Sequence, residues 1–142
     1  MADSFAGIII HLNHRDVTMV AVSQAPYPKL KAYQQRMGWN FKWLSSSEAD
    51  FNYDYHVSFT PEELKKKKAF YNYTTQDPGV EQREGVSVFF KKGNDVFHTY
   101  SAYARGIETF MDDYQLLDLT PKGRDEDGRG PYWVRRHDEY DR

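Results

Sequence analysis

VTMVAVSQAPYPKLKAYQQRMG, residues 17 to 38, decides the fold class. Its first six residues, Val17 to Val22, form a short apolar run without alternation. That is the pattern of a strand covered on both faces, and it predicts a strand in the middle of a sheet. Pro26 and Pro28 then open a helix whose apolar positions are Tyr27, Leu30, Tyr33 and Met37, and Gly38 supplies its stop. A second strand candidate, Phe41 to Ser45, follows at once, so a strand–helix–strand unit and an α/β fold are expected.

Upstream, Phe5, Ile8, Ile9 and Leu12 share one helical face, with Asp3 or Ser4 as N-cap and Asn13 near the end. Downstream, Phe51, Tyr53, Tyr55, Val57 and Phe59 alternate with polar residues, which by period alone reads as a strand. Thr60-Pro61-Glu62-Glu63 is a capping box with proline at the first helical position, and it predicts a helix start. Residues 74 to 85 read as a loop. Val86 to Lys91 and Val96 to Tyr100, joined by Lys92-Gly93-Asn94-Asp95, read as a β-hairpin, and Ile107, Phe110, Met111, Tyr114 and Leu117 as one final amphipathic helix. The segment from 121 to 142 is charged and broken by glycines, but Tyr132, Trp133, Val134 and Tyr140 are anchors that should pack it back on a single domain spanning 1 to 142.

A chain of 142 residues buries roughly 68–70% of its unfolded surface, enough for one core. Tyr 11, Phe 9 and Trp 3 mean that many core rings carry a polar edge in need of a partner. Lys+Arg 19 against Asp+Glu 21 gives a formal charge of −2, which argues against nucleic acid and anionic membrane as partners. MADSF at the start carries an acid where a signal peptide needs basic residues, and Ile8-Ile9-Ile10 is far short of the roughly 20 apolar residues of a span, so a cytoplasmic protein is expected. The chain has no cysteine, which removes disulfides, thiolate metal sites and thiol nucleophiles.

HLNHRDVTMVAVSQAP (11 to 26), VFHTYSAYARG (96 to 106) and LDLTPKGRDEDG (117 to 128) resemble an uncharacterised thioredoxin-like family, and the likeness runs from about Ala2 to Tyr140. It implies a thioredoxin-like fold, a central mixed sheet with flanking helices. It implies a short helix and an irregular approach to Phe59 rather than a strand. It also implies a Cys-x-x-C turn just upstream of the segment matching Ala2 to Phe5, so this chain resembles such a domain without its first strand and its redox head. In-frame sequence upstream of Met1 encoding that strand and turn would make the chain a fragment or a misplaced start.

Several residues are candidates for a residual cleft. Ser4 stands at the mouth of the first helix, where the resemblance places the thiols, but without a base its hydroxyl is a cap rather than a nucleophile. Arg83-Glu84-Gly85-Val86 occupies the place of the cis-proline loop of thioredoxins and lacks the proline; Arg83 could polarise a peroxide there, against the plainer reading of an exposed loop arginine. His98 could face the same cleft as Tyr100, although a sheet-face role is simpler. Tyr100, Tyr103 and Arg105 could hold a carboxylate or phosphate, against the plainer reading that Arg105 ties down Asp138 or Glu139. His11 and His14 share a helix side but lack a third ligand, so no metal is expected, and no cofactor. The lysine run 65 to 68 is a solvated helix face.

Two functions follow. Either the chain belongs to a thiol-redox family whose chemistry it cannot perform, or it is a non-catalytic interaction module on a thioredoxin-like scaffold. Both include a homodimer that covers Phe5 to Leu12 or an adjoining sheet edge, with a protein partner as a further possibility.

Overall fold

The computed structural model describes residues 1–140. Asp141 and Arg142, the last residues of the extension expected over 121 to 142, lie outside the described residues. The fold is mixed α/β. A 3₁₀ turn, Ala2–Ser4, leads into α1 (Phe5–His14), then β1 (Val20–Ser23), α2 (Tyr27–Met37), β2 (Lys42–Ser45), α3 (Phe51–Asp54) and α4 (Pro61–Lys66). Strands β3 (Ala69–Tyr71), β4 (Thr74–Gln76), β5 (Gly85–Lys92) and β6 (Asp95–Tyr103) follow, then a 3₁₀ segment, Ala104–Phe110, and α5 (Asp112–Leu117). Among the described residues no helix is long and apolar enough to cross a membrane.

The chain divides into two compact units, residues 1–48 with those from 109 on, and residues 49–108. In the first, β1 and β2 pair in parallel from Val20↔Lys42 to Ser23↔Ser45, and α2 makes the crossover that parallel neighbours require. Leu30 and Met37 are the buried residues of α2, with Phe41 and Tyr114 also in this unit's interior, whereas Tyr27 is exposed. In the second unit β3–β4 and β5–β6 are antiparallel hairpins, and Phe59, Ala69, Tyr71 and Tyr103 form the core with Val57, Leu64 and Ala104 against it.

A single central sheet is not what the described residues form: the strands make three two-stranded sheets. Val17 to Val22 is not a covered central strand. Val20 is 38% exposed, and the strand begins only there. The reason is local. The Val17 amide donates to the Leu12 carbonyl and the Asp16 amide to Asn13, while Asp16 takes φ +57°, so Val17 closes α1 in a Schellman motif. Gly38 (φ +65°) closes α2 and Lys67 (φ +52°) closes α4 in the same way, with Trp39 bonding back to Gln34 and Lys68 to Glu63.

Other expectations shift for equally local reasons. Neither Ser4 nor Asp3 caps α1; Ser4 is itself helical, and its amide is satisfied by the Met1 carbonyl in the preceding 3₁₀ turn. The alternating stretch 51 to 59 contains a helix, α3, in which Phe51 and Tyr55 come together with ring centroids 4.8 Å apart. Part of the expected loop is strand β4, because Asn72 and Tyr73 both adopt positive φ and make the two-residue turn that right-twisted hairpins favour. The β5–β6 hairpin is longer than expected, turning at Gly93-Asn94. The expected last helix is split, with Met111 extended between the 3₁₀ segment and α5. Thr60 and Glu63 make the capping box as expected.

Gly38→Ala should lower stability by about 1 kcal/mol, since an L-residue there must take the left-handed conformation. Lys67→Gly should raise it by roughly 0.5 kcal/mol, the relief of that penalty less the entropy of a freer unfolded chain. Urea midpoints at constant slope check both; equal midpoints for all three proteins would mean that these stops are not held in the left-handed conformation.

Candidate functional site

In the unit of residues 49–108 the candidates Arg83 and Gly85 flank Glu84, whose carbonyl bonds Tyr71. That ring is buried at the centre of the core, edge-on to Phe59 and Tyr103. Its hydroxyl donates to the Glu84 carbonyl at 2.9 Å and accepts the Ala104 amide at 2.9 Å. Burial pushes the Tyr71 phenol up, against the opposing effect of the Ala104 amide, so the phenol keeps its proton and both bonds. Ala104 sits at φ +47° at the end of β6. Gly85 has no room for a side chain: a Cβ would stand 3.0 Å from the Tyr103 ring and from Val57. Arg83 is an exposed loop arginine whose Nε donates to the carbonyl of buried Pro78 at 2.9 Å, while its amide bonds to Val57. Its guanidinium carbon lies 5.9 Å from the Tyr71 ring centroid. The arrangement holds a loop on a core.

His98 and Tyr100 do not share a cleft. A bulge between Val88 and Phe89 leaves Thr99 unpaired, so Tyr100 pairs with Val88 on one face and His98 with Phe89 on the other. The His98 ring packs against Phe89 and Tyr55, and its Nε2 lies 2.7 Å from the Ser101 hydroxyl and 2.9 Å from the Tyr100 carbonyl. Arg105 does not bind Asp138 or Glu139. It pairs with Glu108 at 3.1 Å, because residues three apart eclipse in a 3₁₀ segment.

In the other unit Asp3 is the focus, a residue that sequence reasoning took for a cap. Its Oδ1 accepts from Trp39 Nε1 at 2.7 Å and lies 2.6 Å from His137 Nδ1. Partial burial would raise the Asp3 carboxyl, but the bonds from Trp39 and His137 outweigh it and hold the group below its ordinary value. Beside it Arg36 grips Asp138 through two nitrogens, at 2.8 and 3.1 Å, and reaches Glu139 at 3.2 Å. Arg136 bonds the Tyr33 hydroxyl and Glu139, each at 2.6 Å. The hydrogen bond from Arg36 holds Asp138 below the usual carboxylate range, and that from Arg136 does the same for Glu139. These contacts tie residues 136–139 to α2 and to the turn before α1. Further along, Glu126 accepts from Tyr114 at 2.7 Å and from Trp133 at 2.9 Å, so Trp133 is an anchor, as its type suggested.

Ser4 lies next to Asp3 and makes no side-chain cap. A shallow cleft of about 300 Å³ opens where β1 and β2 end and α2 begins, lined by Pro26, Tyr27, Pro28, Ser45, Ser47 and Glu48. Strand ends of this kind receive ligands in α/β folds. Here the Ser45 hydroxyl is already bonded to the Ala25 carbonyl and to Ser47, and no acid–base pair faces the space. Among the described residues no three histidines, aspartates or glutamates converge, and His11 and His14 are exposed on α1.

Asp3, Asp138 and Glu139 are depressed in the folded protein, so they stabilise it above their unfolded values and that contribution is lost as pH falls from about 4 downward. Hydrogen exchange should show residues 133–139 losing protection as pH falls below about 4, before the core around Tyr71 does; simultaneous loss would mean that these carboxylates do not hold the segment. Gly85→Ala should destabilise by about 1–3 kcal/mol through overpacking against Tyr103 and Val57. An unchanged melting temperature would contradict that close approach.

No curated protein and no solved structure matches the chain. A family model does, over residues 1–140, nearly the whole sequence. The chain belongs to DUF899, a family of bacterial proteins of unknown function.

Proposed function

We propose that the chain is a thioredoxin-like scaffold that works by association rather than by thiol catalysis, as a homodimer in the cytoplasm. The observation that carries the reading is apolar surface left in water by a chain with no cysteine. On α1, Ile8 and Ile10 are exposed, Ile10 at 70%; on the β5–β6 hairpin so are Val88, Phe90, Phe97 and Tyr100. Grouped apolar surface of this kind marks contact sites more often than it marks nothing. Support for the thioredoxin-like part comes from the three resembling segments and from the order of elements. A helix precedes a parallel strand–helix–strand unit, and an antiparallel hairpin leads later into a final helix.

A thiol-redox relation of the family rests on the same resemblance. In this chain it concerns the scaffold alone, since no atom can form a thiolate or a sulfenate. Insulin-disulfide reduction and peroxide reduction should stay at the level of buffer. Light scattering at high micromolar concentration should report a dimer. A monodisperse monomer defeats the association reading, and turnover that survives removal of contaminating thioredoxin defeats the non-catalytic one.

A further inference from the structure

We infer that the cleft at the ends of β1 and β2 binds a small organic cation, a primary ammonium or a guanidinium on a short apolar body; this does not rest on the association reading above. Ligands of open α/β sheets sit beyond the carboxyl ends of parallel strands. The cleft lies there, where β1 ends at Ser23, β2 ends at Ser45 and α2 begins at Tyr27. Its volume of about 300 Å³ is at the lower limit of small-molecule sites, so one ring or a short chain fills it. Pro26, Pro28 and the Tyr27 ring are its apolar walls, the prolines being fixed in φ before any ligand arrives.

Hydrogen bonding says which charge the cleft takes. The Ser45 hydroxyl donates to the Ala25 carbonyl at 2.7 Å, so the 2.9 Å bond between Ser45 and Ser47 is donated by Ser47. Both serine protons are committed, and Ser47 Oγ keeps only lone pairs. Glu48 is the one charged residue among those lining the cleft, and among the described residues its carboxylate makes no hydrogen bond or ion pair. Lys29 and Asp50, close by along the chain, do not line it. The start of α2 does not reverse this preference. Pro28 has no N–H, and the amides of Lys29 and Leu30 both bond the Pro26 carbonyl, which leaves no more than the Tyr27 amide for an anion. The Tyr27 ring is 56% exposed and, among the described residues, meets no other ring or cation. Apart from the Tyr27 hydroxyl, which can donate or accept, the cleft thus offers acceptors beside an aromatic face. Its complement is a ligand that only donates and carries positive charge.

Titration of the full chain, followed by NMR on the amides of Tyr27, Ser47 and Glu48, decides it, with benzylamine, benzyl alcohol and benzoate as probes of one shape and three charges. Benzylamine should shift those amides with a Kd of about a millimolar or below, the alcohol should bind about tenfold more weakly, and benzoate more weakly still. Glu48→Gln should cost benzylamine about tenfold and leave the alcohol and the melting temperature unchanged, since the side chain is exposed and unpaired. Tyr27→Ala should weaken both. N-acetyl-lysine methylamide, the same cation on a bulkier backbone, should bind less well than benzylamine; tighter binding would give the cleft to a partner protein's side chain and overturn the small-molecule assignment. Equal affinity for the three probes, undiminished binding of benzylamine by Glu48→Gln, or no shift of these amides by benzylamine at about 10 mM overturns the inference. If a variant lost its fold, the three-probe series on the unaltered chain would still decide.

Discussion

The hydroxyl of Tyr71 is the group on which the unit of residues 49–108 depends. A phenol this deeply buried loses water on all sides, so its donor and its acceptor capacity both have to be met from the chain. The phenol donates a hydrogen bond to the Glu84 carbonyl and accepts one from the Ala104 amide. Those two bonds hold the segment leading into β5 and the end of β6, while Gly85 lets the Tyr103 ring and Val57 close in where a Cβ would collide. The left-handed turn at Ala104 fits this account, because its amide is one of the two bonds. Arg83, an exposed loop arginine, serves the same packing through Pro78.

The other unit meets the same requirement with carboxylates. Glu126 receives both the Tyr114 hydroxyl and the Trp133 indole, and Asp3 receives the Trp39 indole together with His137. A carboxylate can accept several donors at once, so one acid satisfies two rings from distant parts of the chain. The guanidiniums of Arg36 and Arg136 add a second set of charge-assisted bonds from Asp138 and Glu139 to Tyr33 and α2. Much of the polar capacity in this unit goes into holding residues 114–139. Exposed apolar residues include those of α1 and of both faces of the β5–β6 hairpin, and one buried acceptor, Asp113 Oδ1, has no hydrogen-bond partner.

Much of the local structure was legible in the sequence. The capping box at Thr60, the stop at Gly38, the crossover helix α2 with Leu30 and Met37 inward, and a hairpin around Lys92 to Asp95 follow from short-range rules that leave one good solution. Where those rules allow two, the sequence misleads. Val17 looks like a strand residue, but its amide is needed to close α1. Phe51 and Tyr55 fit an alternating strand and a helical turn equally well. Asn72-Tyr73 lacks the glycine that would announce a hairpin turn, so the β3–β4 pair leaves no local signal. The candidate cleft was less legible still: the bulge at Thr99 sends His98 and Tyr100 to opposite faces, and a 3₁₀ segment turns Arg105 toward Glu108.

The sequence by itself determined the α/β class, the absence of any thiol, the near-neutral charge and the need of so many polar-edged rings for partners. These are properties of composition and of neighbours a few residues apart, and no arrangement of the chain can alter them. Tertiary structure alone decided which partner each ring took, that Asp3 binds Trp39 and His137 rather than capping α1, and that His98 and Tyr100 lie on opposite faces of the hairpin. Each of those depends on groups up to 134 positions apart or on one unpaired residue in a strand, and neither leaves a mark in local pattern.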